Sequence, residues 1–275
     1  MAALLVETIK FTSLSILMTY GLQTKVDNSV RYFILTATIS PHPSADVALV
    51  NPHERERQYI AALRFWGMFA SQRGDRVLLG ENSSANLDGM RRSLKDLPNV
   101  TIGSFPAGNA DGFEGIGSLE ANLLDDMIET IHINGHQPPF SKITGRLTLK
   151  NPQVLAEASP SNREIYARVR GDYRLIDTRF FTTTTQAWVE NFTGMGRQVV
   201  EAEGIWLEHV MADRTLSALG GRRLDLRRYS SPLKVRGSSG TSGDIYGGWS
   251  QKLKQACLGA PVESFLKKFA SRKYY

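Results

Sequence analysis

The stretch RYFILTATISPHP (residues 31–43) predicts a buried strand that ends in a loop. The residues of Arg31–Thr38 are mostly apolar or β-branched, and Pro41 and Pro43 have no backbone N–H to donate to a sheet. Asn51-Pro52 then opens a predicted helix that runs to about Gln72, because proline is favoured at the first helical position. A buried strand followed by a long helix is the first unit of an alternating α/β fold.

The same alternation continues along the chain. Strands are predicted at 76–80, 100–105, 140–149, 165–169 and 175–184, and helices at 87–97, 119–131, 186–192 and within 203–220. The connections in the first half are short, about 3–12 residues, which favours a mostly parallel central sheet covered by helices on both faces. Ligands of such sheets bind beyond the carboxyl ends of the strands.

Composition limits the class of protein without choosing its partner. The 275 residues are 41% hydrophobic and 22% charged, enough to bury one large core. A formal charge of +6 favours an anionic partner, whether nucleic acid, a phospholipid surface or a phosphorylated small molecule. Cys257 is the only cysteine, which excludes an intrachain disulfide and favours a reducing compartment. The apolar run 11–22 is short for a membrane span, so a packed helix or an N-terminal extension is expected there.

The segment FSKITGR (residues 140–146) places two cations near the end of a predicted strand. In an unbroken strand Lys142 and Arg146 would be about 13 Å apart on the same side, and a kink at Gly145 would turn both toward one anionic group. An ammonium beside a planar guanidinium suits a diphosphate whose charge must be stabilised as it leaves. The alternative interpretation is a pair of exposed cations at a strand end.

The segment GIGSLE (residues 115–120) spaces Gly115 and Gly117 like the glycines of a phosphate-binding turn ahead of a helix. The last glycine of a dinucleotide fingerprint is replaced by Glu120, so a dinucleotide fold is not expected. The alternative is an ordinary loop that leads into a helix.

Glu208 and His209 lie at the entrance of the last predicted helix. A carboxylate there would act as a general base toward a hydroxyl group. The alternative is a glutamate that caps the helix beside a histidine satisfied within the protein. The pattern of Asp177 and Arg179 is explained by a local ion pair.

Eight segments, spread from about residue 31 to 246, carry a resemblance to known proteins. They are ILTATISP (34–41), NPHERERQY (51–59), LLGENSS (78–84), GIGSLE (115–120), FSKITGRLTLKN (140–151), IDTRFF (176–181), EGIWLEH (203–209) and GSSGTSG (237–243). Together they resemble bacterial glycosyltransferase-like proteins encoded with capsule and surface-polysaccharide enzymes. The resemblance implies a GT-A-like (Rossmann-like) fold and an inverting transfer of a sugar from a nucleotide-sugar donor to a surface-glycan or lipid-linked acceptor.

The resemblance also implies roles for the candidate residues. Glu208 would take the acceptor's proton, with His209 as an orienting neighbour or a rival base, and Asp177 and Arg179 would hold sugar or acceptor hydroxyls. The remaining candidates would bind the donor. Arg55 and Tyr59 would hold the nucleotide, Glu81 and Asn82 the ribose or base, and Thr144 and Gly145 would form a hinge beside the sugar. The diphosphate would be bound through the backbone N–H groups of Gly115, Gly117, Ser239 and Thr241.

In GT-A enzymes an Asp-x-Asp usually binds a divalent ion, and FSKITGR occupies the comparable place here. No Asp-x-Asp occurs in the sequence. The resemblance therefore implies that Lys142 and Arg146 neutralise the donor phosphates in place of a metal. No cofactor is expected, although the sequence leaves Mg²⁺ or Mn²⁺ open.

The predicted organisation is an N-terminal extension (1–30), a transferase domain (31–229) and a flexible Gly/Ser loop with a basic helical tail (230–275). The tail suits peripheral contact of a cytoplasmic protein with the anionic inner face of the cytoplasmic membrane. No nucleic-acid partner is expected under this interpretation. Two alternatives stay open: a nucleic-acid-binding protein, motivated by the pI and by Arg222–Arg228, and an inactive scaffold with a transferase fold.

Overall fold

The computed structural model of the chain describes residues 30–43, 45, 47–106, 115–132, 137–238 and 245–246. Most of the predicted N-terminal extension, the basic tail with Cys257, and the candidate residues Ser239 and Thr241 lie outside the described residues. The membrane contact and the loop closure assigned to them therefore stay predictions. Among the helices of the described residues, none combines the length and apolar character needed to cross a bilayer.

Ten strands are described, and seven of them form the central sheet. They are β1 (Tyr32–Ala37), β2 (Arg76–Glu81), β3 (Val100–Ser104), β4 (Pro139–Thr144), β5 (Thr148–Leu149), β6 (Glu164–Val169), β7 (Ile176–Thr184), β8 (Asp225–Arg227), β9 (Val235–Ser238) and β10 (Ile245–Tyr246). The central sheet has the order β3-β2-β1-β4-β7-β6-β8. β7 is antiparallel to both of its neighbours, and the other adjacent pairs are parallel. The expected mostly parallel sheet is confirmed.

The described α-helices cover both faces of this sheet. They are α1 (Pro52–Ser71), α2 (Asp88–Ser93), α3 (Ile116–Ile131), α4 (Gln153–Glu157), α5 (Thr185–Asn191) and α6 (Leu207–Gly220). Residues of α1, α2 and α4 share one hydrophobic core, and residues of α3, α5 and α6 share the other. This two-faced covering by helices was expected from the short connections between strands and helices.

β1 illustrates how alternate residues feed the two cores. Phe33 and Leu35 pack toward α1, and Phe33 stacks on Trp66 with ring centroids 5.4 Å apart. Ile34 points to the opposite face and belongs to the core beneath α3. A strand buried on both faces needs apolar residues at nearly every position, which is why this stretch lacks the alternation of a half-exposed strand.

Sequence and local chemistry also explain where α1 begins. The side chain of Asn51 accepts hydrogen bonds from the backbone N–H groups of His53 (3.0 Å) and Glu54 (3.2 Å), and Pro52 occupies the first helical turn. The Asn-Pro start is therefore a standard amino-terminal cap.

The flexible Gly/Ser loop expected at the start of residues 230–275 contains two described strands. β9 pairs with β5 and with β10 to form a second, three-stranded sheet, in which Leu149 lies opposite Val235. α4 and β8 were also not predicted, and α2 ends earlier than expected. These elements are short, so their local sequences carry little periodicity, and the strands among them depend on distant pairing partners.

Gly145 follows β4 at the point where the chain passes closest to the end of β1. Its N–H donates to the Thr36 carbonyl oxygen at 3.0 Å. A Cβ placed on Gly145 would lie 2.3 Å from that oxygen and 2.9 Å from Cε1 of Tyr59. The glycine is thus required by close packing within the protein, which is a different reason from the hinge that was expected.

We predict that Gly145→Ala lowers the free energy of unfolding by about 1–3 kcal/mol, because backbone atoms must move to admit the methyl group. Denaturant unfolding followed by tryptophan fluorescence measures this change. Gly171→Ala is the matched control, since a Cβ there would meet no atom within 4 Å. Equal stability of the two variants would contradict the packing argument.

Candidate active site

The carboxyl ends of β1, β2 and β4 meet at one edge of the central sheet, as the sequence indicated. Lys142 lies just inside this edge and is 0% exposed. Its Nζ is 2.7 Å from Glu120 Oε1 and also donates to the Thr178 carbonyl oxygen (2.6 Å) and to Thr144 Oγ1 (3.0 Å). Thr36 Oγ1 donates to the same oxygen of Glu120 at 2.7 Å. The buried ammonium is therefore paired and fully hydrogen-bonded.

These contacts correct the expected geometry of FSKITGR. An ammonium group has three N–H donors, and the three partners of Lys142 are all groups of its own chain. Arg146 lies on the other side of the sheet edge, where it contacts α1. Because β4 ends at Thr144 and the chain turns at Gly145, strand parity no longer relates Lys142 to Arg146. The two cations do not face a common anion, and neither is an exposed strand-end charge.

Arg146 is buried without an acidic partner. It is 7% exposed, its Nη1 donates to Gln58 Oε1 at 3.2 Å, and its guanidinium carbon lies 5.9 Å from the centre of the Tyr59 ring. No carboxylate in the described part of the chain forms an ion pair with it. Burial lowers the pKa of Arg146 and the charge of Arg55 lowers it further, against an opposing effect of Tyr59.

Arg55 and Tyr59, predicted to hold the nucleotide, hold the end of β1. Arg55 donates to the carbonyl oxygens of Thr38 (Nε, 2.6 Å) and Leu49 (Nη1, 2.9 Å), and the Tyr59 hydroxyl accepts from the Thr38 N–H at 3.0 Å. Arg55 Nη2 also donates to that hydroxyl at 3.3 Å. Both side chains thus fix the loop after β1, and their role toward a nucleotide stays a prediction.

Glu81 and Asn82, predicted to bind the ribose or base, are likewise occupied by the protein. Glu81 is 0% exposed, and its carboxylate accepts from the N–H groups of Ile39 (3.0 Å), Ser83 (2.9 Å) and Ala85 (3.3 Å) and from the Ser83 hydroxyl. Asn82 Oδ1 accepts from Thr38 Oγ1 at 2.7 Å. The side-chain oxygens of Glu81 and Asn82 thus accept hydrogen bonds from neighbouring loops. The sequence did not indicate these contacts.

A carboxylate also occupies the glycine turn at the start of α3. Glu201 Oε1 accepts from the Gly117 N–H at 2.6 Å. A Cβ on Gly115 would lie 2.6 Å from Cδ of Glu201. The amino terminus of α3 is therefore neutralised by the chain itself, where Gly115 and Gly117 were expected to receive a phosphate. The glycines provide room for the approach of Glu201.

Glu208 lies in the first turn of α6 and is partly exposed. Its Oε1 accepts from Thr178 Oγ1 at 2.8 Å, so the carboxylate is held toward the edge where β7 begins. No described donor is bonded to the other oxygen, Oε2. One oxygen of Glu208 is therefore oriented, and the other has no donor among the described residues.

His209 caps the start of α6. Its Nδ1 accepts from the Trp206 N–H at 3.2 Å, and its ring stacks on the Trp206 ring with centroids 5.3 Å apart. Trp206 is 51% exposed and lies two residues before Glu208. The described hydrogen bond and ring contact of His209 are both with Trp206, and none joins it to Glu208. Its role as an orienting neighbour or a rival base stays a prediction.

Asp177 and Arg179 form the ion pair that the sequence indicated. Arg179 Nε and Nη2 donate to the two carboxylate oxygens of Asp177 at 2.7 and 2.6 Å. Burial alone would raise the pKa of Asp177, but the hydrogen bond and charge of Arg179 outweigh it and hold that pKa below its usual range. Arg179 also lies over the Tyr246 ring, 5.0 Å from its centre. Each partner is largely committed to the other.

Three residues of the site were missed by sequence reasoning: Glu120, Thr178 and Glu201. Glu120 was noticed only as a departure from a glycine fingerprint. Thr178 stands inside the Asp-x-Arg pattern and carries no chemical signature of its own. Within the described residues, no group of three or more His, Cys, Asp or Glu side chains is arranged to hold a metal ion.

Neither a protein family model nor a curated protein matches this sequence. Solved structures with a similar chain course include the galactosyltransferase LgtC in complex with donor and acceptor sugar analogues, at 10% identity and a TM-score of 0.45, covering 89% of this chain and 97% of LgtC. The bifunctional glycosyltransferase WbbM aligns at 11% identity and a TM-score of 0.46, over 75% of this chain and 40% of WbbM. Mouse xyloside xylosyltransferase 1 aligns at 12% identity and a TM-score of 0.39, over 73% of this chain and 85% of the mouse protein.

We predict that Lys142→Met destabilises the fold by about 3–5 kcal/mol, because it leaves the Glu120 carboxylate without its cation. Adding Glu120→Met to this variant should restore part of the loss, since two apolar side chains replace the buried pair. Chemical denaturation of the single and double variants measures both effects. Arg64→Met, which breaks the exposed pair of Arg64 with Asp96, should change the unfolding midpoint far less. Additive losses in the double variant would contradict the pairing.

Proposed function

We propose that this chain is a glycosyltransferase with a GT-A-like fold, which moves a sugar from a nucleotide-activated donor to a hydroxyl group of a surface-glycan or lipid-linked acceptor. The observation that carries the proposal is the setting of Glu208 at the carboxyl edge of a mostly parallel sheet. The eight segments that resemble glycosyltransferase-like proteins support the same class. The acceptor, the inverting course and the independence from metal are parts of the proposal.

Glu208 has the properties that a general base for this reaction requires. One of its oxygens is fixed by the Thr178 hydroxyl, and the other has no partner among the described residues. A base must reach the proton that it removes with a fixed geometry, so orientation by a neighbouring hydroxyl is as important as the carboxylate itself. Thr178 is therefore proposed as a positioning residue for Glu208.

The proposed reaction is a single displacement. Glu208 accepts the proton of the acceptor hydroxyl as its oxygen forms a bond to the anomeric carbon of the donor sugar. On the opposite side of that carbon, the bond to the diphosphate oxygen breaks, and the nucleoside diphosphate leaves with the bonding electron pair. Attack opposite to the leaving group inverts the anomeric configuration. The leaving diphosphate needs positive charge nearby, and electrostatic stabilisation of this kind is often the largest contribution to such catalysis.

The two cations of FSKITGR take different parts in this proposal. Arg146 is proposed to face the donor phosphates, since it is the cation with no acidic partner among the described residues. Lys142 acts through another residue: its ammonium binds the Thr178 carbonyl oxygen, and the Thr178 hydroxyl binds Glu208. The base and the sheet edge are connected by this chain of contacts.

A ligand screen tests the class of donor. Thermal unfolding should be measured with a panel of nucleoside diphosphates and nucleotide sugars, in the presence and absence of EDTA. Stabilisation by one nucleotide that persists in EDTA is the expected result. A response only to single-stranded oligonucleotides, falling steeply with salt, would replace this proposal with a nucleic-acid-binding function.

We predict that Glu208→Gln lowers turnover at least about 100-fold while the donor still binds, because the amide cannot accept the proton. Release of nucleoside diphosphate from the donor found in the screen measures turnover, and calorimetry measures binding. Glu203→Gln, an equal loss of charge at an exposed position of the preceding loop, is the control. Thr178→Val should lower kcat with little change in the donor KM, and Thr178→Ser should recover most of the activity. Near-normal turnover in Glu208→Gln would refute the role of Glu208.

A further inference from the structure

A cleft of about 690 Å³ lies between α1 and the small sheet of β5, β9 and β10. One wall is apolar and consists of Ala61, Ala62 and Phe65, which lie along α1. The opposite wall carries three cations, Arg146, Lys150 and Arg236, with Tyr246 beside them. No aspartate or glutamate lines the cleft in the described part of the chain. An apolar wall thus faces a positively charged wall.

The pairing of β5 with β9 brings the three cations to one cleft. Arg146 lies in the turn after β4 and Lys150 directly follows β5, and both line the cleft together with Thr148. Arg236 lies directly opposite Thr148 in the antiparallel pair of β5 and β9, so its side chain emerges on the same side as that of Thr148. The positive wall is therefore a product of sheet register, since its members come from segments about 90 residues apart in sequence.

The charge on this wall is not balanced from within the described chain. Lys150 and Arg236 are exposed and form no ion pair among the described residues. Arg146 is buried, and its described partners are the neutral amide of Gln58 and the Tyr59 ring. Burial of a guanidinium without an anion is costly, and the nearby charge of Arg55 adds to that cost. A bound anion would offset the cost at Arg146.

We propose that this cleft binds the phosphate group of a ligand with an apolar or aromatic body. The two guanidinium groups offer planar pairs of N–H donors that match phosphate oxygens, and Lys150 adds a compact charge. The body of the ligand lies along Ala61, Ala62 and Phe65, with Tyr246 at the edge of the cleft. The choice of source rests on the proposed function: either the nucleoside diphosphate of the donor or the phosphate of a lipid-linked acceptor supplies this chemistry.

Calorimetric titration of the full-length protein tests the proposal with three probes: inorganic pyrophosphate, a panel of nucleoside diphosphates and farnesyl diphosphate. Lys150→Met/Arg236→Met should weaken pyrophosphate binding at least tenfold. Arg92→Met/Lys95→Met, which removes two exposed cations elsewhere, should change it less than twofold. Wild-type protein that binds no pyrophosphate, or equal losses in the two double variants, would overturn the proposal.

Ala61→Glu tests the same cleft without removing a cation. Residue 61 is an exposed position of α1, and glutamate is well tolerated in helices, so the fold should persist. The added carboxylate should reduce binding of all three probes by at least tenfold. Circular dichroism checks that each variant is folded. Unchanged binding in folded Ala61→Glu protein would show that the anion lies elsewhere.

The probes also identify the source of the phosphate. Tighter binding of a nucleoside diphosphate than of pyrophosphate indicates the donor, and tighter binding of farnesyl diphosphate indicates a lipid-linked ligand. If neither body adds affinity, the apolar wall plays no part and that half of the proposal is wrong. Pyrophosphate binding at the cleft without sugar transfer by any donor would refute the proposed function but support the phosphate site. Sugar transfer with no phosphate binding at the cleft would refute the phosphate site but support the proposed function.

Discussion

The buried ammonium of Lys142 is the constraint around which the edge of the sheet is arranged. A charge that is 0% exposed is stable only when it is paired and hydrogen-bonded, and Lys142 meets this requirement with groups from α3, β4 and β7. Glu120 is also bound by Thr36 of β1. One cation therefore fixes the relative positions of a helix and three strands. Through Thr178 it also reaches Glu208, so the position of the proposed base depends on a buried ion pair.

The other acidic side chains near this edge show why Glu208 stands apart. Glu81 organises the loops after β1 and β2, Glu201 neutralises the start of α3, and Asp177 is held by Arg179 in two hydrogen bonds. Glu81 and Asp177 accept described hydrogen bonds at both of their oxygens, whereas Glu201 and Glu208 each accept at one. The bonded oxygen of Glu201 faces the backbone at the start of α3, and that of Glu208 is held by a side-chain hydroxyl. Available hydrogen-bonding capacity therefore separates Glu208 from Glu81 and Asp177, and the kind of donor that holds it separates it from Glu201.

The fold could be predicted further than the site. The strands of the central sheet have long apolar runs, the helix α1 has a clear amino-terminal cap at Asn51, and the connections are short. All of these are local signals. The pairing of Lys142 with Glu120 joins residues 22 positions apart, and no local signal indicates it. The same holds for Arg236, which reaches Arg146 and Lys150 only through the pairing of β9 with β5. The selection of FSKITGR and Glu208 as site residues stays a prediction, and strand parity failed at the turn where β4 ends.

The cationic cleft and the proposed base lie on opposite faces of the sheet. Arg146 and the cationic cleft lie on the side of α1, and Glu208 with its supporting residues lies on the side of α3 and α6. Between them the chain turns at Gly145, whose N–H is bonded to Thr36 and whose surroundings leave no room for a side chain. Because that turn is tightly packed, the two sides are held in a fixed relation. A ligand that uses both must place its phosphates and its reacting carbon on either side of a preformed edge, and such preorganisation lowers the entropic cost of reaching the transition state.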